Sequence, residues 1–270
     1  MPLPIRNSRI RLSQGLIFWR EVGQGPALVF LHGSWQDSSQ WMPVVEQLSQ
    51  DYHCIVPDLL GFGESENPDV HYSIALEVEC LAEFLRALKL QQIYLVGHSL
   101  GGWVAASFAL KYIDQVAGVV LLAPEGVQTW DRKDRWFWAR LLLAPWADWG
   151  LRSLLPLSKI LKLQRIEHLL ARRQKLLASL TACKLLFYRR RSEIKAEFLN
   201  DQLRWLKVPA LILQGERDGA IAISLNQTYA QLASKTELEQ IPQAGENVLG
   251  IHPDLVAQRI RAFVSGVPVR

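Results

Sequence analysis

The chain has 270 residues, of which 49% are hydrophobic and 21% are charged, and its formal net charge is +4. This composition is ordinary for a soluble globular protein, and it excludes wholesale disorder, collagen-like repeats and low-complexity classes. The chain contains no run of about 18 apolar residues, which a membrane-spanning helix would need, and we find no secretory signal. We therefore expect a cytoplasmic protein. The three cysteines lie far apart and lack the spacing of a metal or redox site.

Hydrophobic periodicity predicts strands that alternate with helices along most of the chain. The predicted strands cover residues 16–22, 27–31, 53–57, 92–97, 116–123, 210–214 and 238–241. The predicted helices cover residues 38–48, 73–89, about 98–112 and 253–263. This alternation is typical of a mostly parallel sheet with helices on both of its faces, so we predict an α/β protein.

Residues 127–207 interrupt the alternation, because no strand pattern appears in them. Residues 131–197 carry 16 Lys or Arg against 6 Asp or Glu, and five of the ten tryptophans lie between positions 130 and 149. Such a shift in charge and composition marks a segment with its own surface. We interpret residues 127–207 as an inserted helical cap, and residues 1–126 with 208–270 as the core domain.

The motif Gly97-His98-Ser99-Leu100-Gly101 stands where a predicted strand meets a predicted helix. This Gly-x-Ser-x-Gly pattern is typical of a nucleophile elbow, a sharp turn that presents a serine hydroxyl at the end of a strand. Glycines flank the serine because the turn leaves no room for side chains. The N-terminus of the following helix directs backbone N–H groups towards developing negative charge. Ser99 is therefore the candidate nucleophile.

With three further motifs the chain resembles the α/β-hydrolase fold family over nearly its whole length. Residues 31–35 (Leu-His-Gly-Ser-Trp) follow a buried strand, where the family has the His-Gly turn beside its oxyanion hole. Residues 58–65 are similar to the family's Asp-x-x-Gly-x-Gly-x-Ser loop, and residues 211–218 to the strand and turn that carry its acidic triad member. The family also often inserts a helical cap after its sixth strand. The resemblance thus implies the α/β-hydrolase fold with such a cap.

The resemblance also implies roles for individual residues. Ser99 would attack a carbonyl carbon, and the backbone N–H groups of Ser34 and Leu100 would stabilise the oxyanion. Asp218 would orient the base, and Glu125, which follows the sixth predicted strand, is a second candidate acid. This chemistry needs neither a metal nor a cofactor, and we expect none.

The catalytic base is the point at which the chain departs from the family. The family's histidine follows an Ala-Gly pair after the last strand, and Glu246 stands at that position here. His252 lies six residues further on, about 9 Å away if the segment is helical and up to about 20 Å if it is extended. We predict His252 as the base, although it is also interpretable as the entry residue of the last helix with no catalytic duty. Glu246, if burial raised its pKa, and Glu125 are the alternative base or acid.

Two functions of different classes follow from these residues. The first is a serine hydrolase that acts on a small hydrophobic ester or similar acyl substrate. The second is a hydrolase-fold protein that has lost its base and serves in ligand binding or at a membrane surface, because Glu246 replaces the family histidine.

The predicted cap bears on this choice. Trp136, Trp138 and the neighbouring Arg140 combine aromatic rings with positive charge, which is typical of contact with an anionic membrane. Tryptophans that pack on the core domain and line an apolar pocket are the other interpretation. We expect no nucleic-acid binding, because no known reading module accompanies the basic residues. A cytoplasmic protein with peripheral membrane contact is consistent with this pattern.

Overall fold

The computed structural model describes residues 3–129, 136–153, 165–245 and 247–266. Packing divides the chain into two compact units. The core unit consists of residues 1–129 and 197–270, and the helical unit of residues 130–196. The predicted cap, residues 127–207, contains the whole helical unit.

One sheet lies at the centre of the described part of the core unit. Its strands are β1 (Arg6–Arg11), β2 (Leu16–Val22), β3 (Ala27–Leu31), β4 (His53–Pro57), β5 (Ile93–His98), β6 (Val116–Leu122), β7 (Ala210–Gly215) and β8 (Thr236–Ile241). Their order across the sheet is β1-β2-β4-β3-β5-β6-β7-β8. β2 pairs antiparallel with β1 and β4, and the other neighbouring pairs are parallel. The mostly parallel sheet with its helices confirms the predicted fold class.

Helices connect these strands and make up the helical unit. In chain order they are α1 (Met42–Leu48), α2 (Ile74–Ala87), α3 (Leu100–Lys111), α4 (Phe137–Leu143), α5 (Pro145–Ser153), α6 (Arg165–Leu177), α7 (Leu180–Cys183), α8 (Arg191–Ala196), α9 (Ala220–Leu232), α10 (Val248–Ile251) and α11 (Pro253–Val264). α4 to α8 belong to the helical unit. Within the described ranges, none of these helices has the length and hydrophobicity needed to span a bilayer.

The central strands are buried on both faces, which explains their near-continuous apolar sequences. Every residue of β7 is buried, and in β6 only Ala117 is partly exposed. A strand covered on both sides has no solvent face that would favour alternating polar residues. The same core extends to α1 and α11 through side chains such as Val45 and Ile260.

Three described elements of the core unit, β1, α9 and the short α10, were not predicted from the sequence. β1 is an edge strand whose arginines give no apolar alternation, and Arg6 forms a salt bridge with Glu21 of β2 at 2.7 Å. Charged side chains on an edge strand discourage pairing with other chains, and they also mask the strand pattern. α9 contains residues of low helix propensity, and its packing on β7 and β8 stabilises it instead.

The two chain segments that border the helical unit are hydrogen-bonded to each other. The Leu199 N–H donates to Gly126 O at 2.8 Å, and Asn200 exchanges two hydrogen bonds with the Gln128 backbone at 2.8 and 2.9 Å. The chain therefore leaves the core unit and returns to it at one place, shortly after β6. Adjacent ends allow a long insertion there without any change in strand order.

A buried carboxyl group lies beneath the loop that follows β4. Glu77 of α2 is buried, its Oε2 accepts the Leu60 N–H at 3.2 Å, and its Oε1 has no hydrogen-bond partner among the described residues. Burial raises the pKa of Glu77 to about 8. A cavity of about 20 Å³ lined by Glu77 and Cys80 has room for about one water molecule. The Glu77 carboxyl is therefore mainly protonated in the folded protein at neutral pH.

Glu77→Gln is expected to remove a pH dependence of stability. Between about pH 4.5 and pH 8 the folded chain keeps a proton that the unfolded chain releases, so rising pH lowers the free energy of unfolding by up to about 1.4 kcal/mol per pH unit. Wild type should therefore lose stability relative to Glu77→Gln across this window, as measured by urea unfolding at several pH values. Glu79→Gln is the matched control on α2, because the hydrogen bond and charge of Lys111 lower the pKa of exposed Glu79. Its stability difference from wild type should stay flat above about pH 5.5, where Glu79 is ionised in both the folded and the unfolded chain. A flat difference for Glu77→Gln in that range would contradict the prediction.

Candidate active site

Ser99 is the single residue between β5 and α3, and its backbone is strained. Its φ of +52° and ψ of −111° lie in a region that non-glycine residues rarely adopt. Hydrogen bonds hold it there: the Ser99 N–H donates to Leu122 O at 2.9 Å, and Ser99 O accepts the N–H groups of Glu125 and Trp103 at 3.0 and 3.2 Å. The chain thus turns sharply at one residue, as a nucleophile elbow requires.

The two motif glycines are required by close backbone contacts. A Cβ atom on Gly97 would lie 2.5 Å from Gly101 O, and one on Gly101 would lie 2.2 Å from Leu31 O. The Gly101 N–H also donates to His32 O at 3.0 Å. The first turn of α3 is therefore pressed against the end of β3, and no side chain fits between them.

The turn after β3 lies beside the elbow. A Cβ on Gly33 would be 3.5 Å from Ser99 Cβ and 2.8 Å from His98 Nδ1. Ser34, the next residue, is buried. Within the described residues, neither the Ser34 N–H nor the Leu100 N–H donates a hydrogen bond to the protein. The helix N-terminus at Leu100 adds partial positive charge, so this end of the site favours an anionic oxygen.

His32 and His98 lie on either side of the turn after β3, and both form hydrogen bonds within the protein. The Leu59 N–H donates to His32 Nε2 at 3.0 Å, which leaves the ring proton on Nδ1, 2.9 Å from Gly33 O. Gln40 Nε2 donates to His98 Nδ1 at 3.0 Å. Burial lowers the pKa of His32, and burial with the neighbouring His32 lowers the pKa of His98 to about 4. Both rings are therefore neutral near pH 7.

Gln40 is a site residue that the sequence analysis missed. Its amide nitrogen holds His98, and its Oε1 accepts the Gly33 N–H at 3.0 Å. The amide thereby joins the turn after β3 to the elbow. Gln40 belongs to a 3₁₀ turn, Ser38–Trp41, just before α1, and nothing in its local sequence indicates this contact.

Asp218 lies in a tight turn after β7. Its Oδ2 accepts the Gly215 N–H at 2.8 Å, and the Arg217 N–H donates to Ala244 O at 2.7 Å. Gly245 approaches the same turn, since a Cβ on it would be 3.3 Å from Arg217 O. The loops after β7 and β8 are therefore packed together around Asp218.

Of the two candidate bases, Glu246 and His252, only His252 is among the described residues. Glu246 lies outside the described residues. His252 follows α10, its N–H donates to Val248 O at 2.9 Å, and its own carbonyl accepts the Val256 N–H at 3.2 Å at the start of α11. Its imidazole is partly buried and makes no hydrogen bond or ion pair with another described residue. The Ser99 hydroxyl likewise has no hydrogen-bond partner in the described ranges.

The sheet brings most of the predicted site residues to one edge. Ser34, Ser99, Glu125 and Asp218 follow the carboxyl ends of β3, β5, β6 and β7, which run parallel. The carboxyl edge of a parallel sheet is where ligands bind in open α/β folds. Glu125 is fixed by its N–H bond to Ser99 O and by the Tyr229 hydroxyl, which donates to Glu125 O at 2.5 Å. Among the described residues, no cluster of three or more His, Cys, Asp or Glu side chains could hold a metal ion.

Comparison with known proteins identifies the family of this fold. A family model described as the alpha/beta hydrolase fold matches residues 26–253. The chain belongs to the alpha/beta hydrolase fold family. In structure it is similar to a membrane phospholipase A described as a bacterial virulence factor, with a TM-score of 0.76 and 23% identity over 98% of this chain and 87% of that one. It is also similar to a thermophilic esterase from Thermogutta terrifontis, with a TM-score of 0.71 and 25% identity over 98% of this chain and 100% of that one.

Sequence similarity to curated relatives is confined to part of each chain. The 2-hydroxy-6-oxo-2,4-heptadienoate hydrolase of Pseudomonas putida is 36% identical over 111 residues, which are 40% of this chain and 40% of the relative. The first mycobacterial relatives match over 32% of their length. The chain thus aligns with only 32% to 40% of the length of these relatives.

Proposed function

We propose that this alpha/beta hydrolase family member hydrolyses a small hydrophobic ester or similar acyl compound, with Ser99 as the nucleophile. The observation that carries the proposal is the strained backbone of Ser99 between β5 and α3. Strain of this kind persists only where the surroundings enforce it, and it serves to present a reactive group. The hydrogen bonds from Glu125 and to Leu122 supply that enforcement.

The backbone N–H groups of Ser34 and Leu100 form the oxyanion hole in this proposal. Neither donates to another described atom, and the dipole of α3 points its positive end towards the same place. Each such donor typically lowers the barrier of acyl transfer by about 2.7–4 kcal/mol. The pair would therefore stabilise the tetrahedral intermediate without a metal or cofactor.

His252 is the imidazole we assign as the base, because the other histidines have contacts or positions that exclude them. Both ring nitrogens of His32 and Nδ1 of His98 form hydrogen bonds, and His53 Nε2 pairs with Glu21 at 2.8 Å. The remaining two histidines are His71, which lies in the loop before α2 and has its own contacts, and His168, which is exposed on α6 of the helical unit.

In this mechanism His252 accepts the proton of the Ser99 hydroxyl and later returns it to the leaving group. Asp218 orients the imidazole and stabilises its charged form. Glu125 is the alternative acid, since its N–H bond to Ser99 O places it next to the nucleophile. Glu246 is the alternative base, because it occupies the family's histidine position in the sequence.

The substrate class rests on relatives and on composition. The esterase and the phospholipase that resemble this chain act on esters by their names, and they support an ester substrate here. We propose that the helical unit serves as a cap over the substrate site, and its many leucines and tryptophans favour an apolar acyl group.

A fluorophosphonate probe tests the nucleophile and the base together. We expect wild-type protein to be labelled at Ser99, as located by peptide mass spectrometry, and His252→Ala to slow labelling by at least about 100-fold. His168→Ala is the matched control and should leave the labelling rate unchanged. Normal labelling of His252→Ala with slow labelling of Glu246→Gln would transfer the base role to Glu246. Absence of wild-type labelling would refute the proposed enzyme.

A ligand-binding protein without hydrolytic activity is the second candidate function. The specific observation in its favour is that no described imidazole forms a hydrogen bond with the Ser99 hydroxyl. It predicts saturable binding of an apolar ester, measured by calorimetry, without probe labelling and without turnover. Turnover that depends on Ser99 would exclude this candidate.

A further inference from the structure

The helical unit exposes a large share of the apolar side chains at the protein surface. Twelve large hydrophobic side chains are exposed in the described part of the chain, and seven of them lie in this unit. These seven are Phe137, Trp146, Trp149, Leu169, Leu177, Leu180 and Tyr188. Single exposed apolar residues are normal, but their concentration in one small unit marks an interaction surface.

α5 presents two tryptophans of this set on one side. Trp146 is 61% exposed and Trp149 is 78% exposed, and a spacing of three residues puts them on the same helical face. Ala147, which is buried, anchors the other face of the helix. An indole combines an apolar ring with an N–H donor, so it is most stable where hydrocarbon and water meet.

Trp136, which stands close to Arg140 in the sequence, is less accessible than the two tryptophans of α5. Trp136 is only partly exposed, and its ring packs edge-on against Phe187 of the same unit, with centroids 6.1 Å apart and an interplanar angle of 89°. The side chain of Trp138 lies outside the described residues. Among the described tryptophans of the helical unit, the two of α5 are therefore the most exposed.

The charge of the helical unit restricts what can cover this surface. Residues 130–196 contain 16 Lys or Arg and 5 Asp or Glu, a net charge of +11, while the whole chain carries only +4. Arg172, Lys175, Arg190 and Lys195 are exposed, and none of them has an ion-pair partner within the described ranges. Two copies of so positive a unit would repel each other, which disfavours a second copy of this chain as the occupant.

We propose that the helical unit binds the surface of an anionic lipid bilayer, with Trp146 and Trp149 inserted between headgroups and the basic side chains on lipid phosphates. Exposed tryptophan in a unit with a large positive net charge is the combination that peripheral membrane segments use. α5 has nine residues, so it lies in the interface and does not cross the bilayer. This binding is independent of Ser99 and goes beyond the proposed hydrolase activity.

Vesicle co-sedimentation of the full chain tests the proposal. Wild type should bind phosphatidylcholine vesicles that contain phosphatidylserine and show little binding to phosphatidylcholine alone. The variant Trp146→Ala/Trp149→Ala should bind the anionic vesicles at least about tenfold more weakly, because two indoles leave the interface. Trp205→Ala is the matched control, since Trp205 is also 61% exposed but belongs to the core unit, and it should bind like wild type.

Several outcomes would overturn the proposal. Equal binding of the double variant and wild type would remove α5 from the membrane contact. Equal loss in Trp205→Ala would show that any exposed tryptophan has the same effect. Tight binding of wild type to nucleic acid without binding to vesicles would assign the basic surface to another partner. A change in oligomeric state of the double variant, measured by light scattering without vesicles, would assign α5 to a second copy.

Thermal unfolding of the variants is the control for folding. An unchanged unfolding temperature confirms that these exposed substitutions leave the fold intact.

Discussion

Ser99→Ala is expected to lower the rate of ester hydrolysis by at least about 10³-fold, with little change in KM. In the proposed mechanism the hydroxyl forms the acyl intermediate, whereas Ser34 and Leu100 contribute only backbone N–H groups, which remain in place in the variant. Alanine has the same Cβ as serine, so it meets no more strain at a φ of +52° than the native residue does. The loss should therefore be chemical and not structural. Initial rates with p-nitrophenyl esters of increasing chain length measure it.

Ser107→Ala is the matched control for this experiment. Ser107 lies on α3, two turns beyond the elbow, and its buried Oγ has no hydrogen-bond partner among the described residues. Removal of that hydroxyl takes away no described interaction, so turnover should remain at the wild-type level. Turnover that survived in Ser99→Ala would show that another group attacks the ester, and it would refute the proposed nucleophile.

Gly101→Ala is expected to lower the free energy of unfolding by about 3 kcal/mol and to abolish hydrolysis. The new Cβ would lie 2.2 Å from Leu31 O and 2.6 Å from His32 O, and both are backbone atoms that cannot rotate away. The first turn of α3 would have to move from β3, which would break the 3.0 Å hydrogen bond from the Gly101 N–H to His32 O. Urea unfolding measures the change in stability.

Gly150→Ala shows what the same substitution does without a steric clash. A Cβ on Gly150 has no heavy atom within 4 Å, and the residue lies inside α5. Alanine is the better helix former by about 1 kcal/mol, so this variant should be as stable as wild type or slightly more stable. Wild-type stability of Gly101→Ala would mean that the elbow tolerates separation from β3, contrary to the contacts described above.

The periodic segments of the core could be predicted from the sequence because their local pattern matches their environment. β2, β3 and β4 have the predicted bounds. Each is an apolar run between turn residues, and the same residues that form the run are those that the sheet buries. α2 begins after Ser73, whose Oγ caps the Leu76 N–H at 3.0 Å, so one residue marks the helix start both in sequence and in structure. β1 and α9 lack such a pattern, and their pairing or packing with distant residues stabilises them.

The candidate site likewise contains residues that a local motif predicts and residues that only distant contacts bring to it. Ser99 and its glycines form a contiguous motif, because one sharp turn imposes all of their requirements on five consecutive residues. Gln40 could not have been predicted, because it acts through Gly33 and His98, and the latter lies 58 residues away. The same holds for Tyr229, whose hydroxyl reaches Glu125 O across 104 residues. Contacts of this kind leave no local signature.

The amino-acid sequence by itself determined the alternation of strands and helices, the elbow at Ser99 and the concentration of positive charge in residues 131–197. Each of these is encoded by neighbouring residues, and local sterics or simple summation of charge suffices to recognise it. Only the tertiary structure decided that the rings of His32 and His98 are held neutral and bonded, and that Trp146 and Trp149 are exposed while Trp136 packs inward. Burial and hydrogen bonding depend on residues that the folded chain brings together from distant positions, so they exist only once the chain has folded.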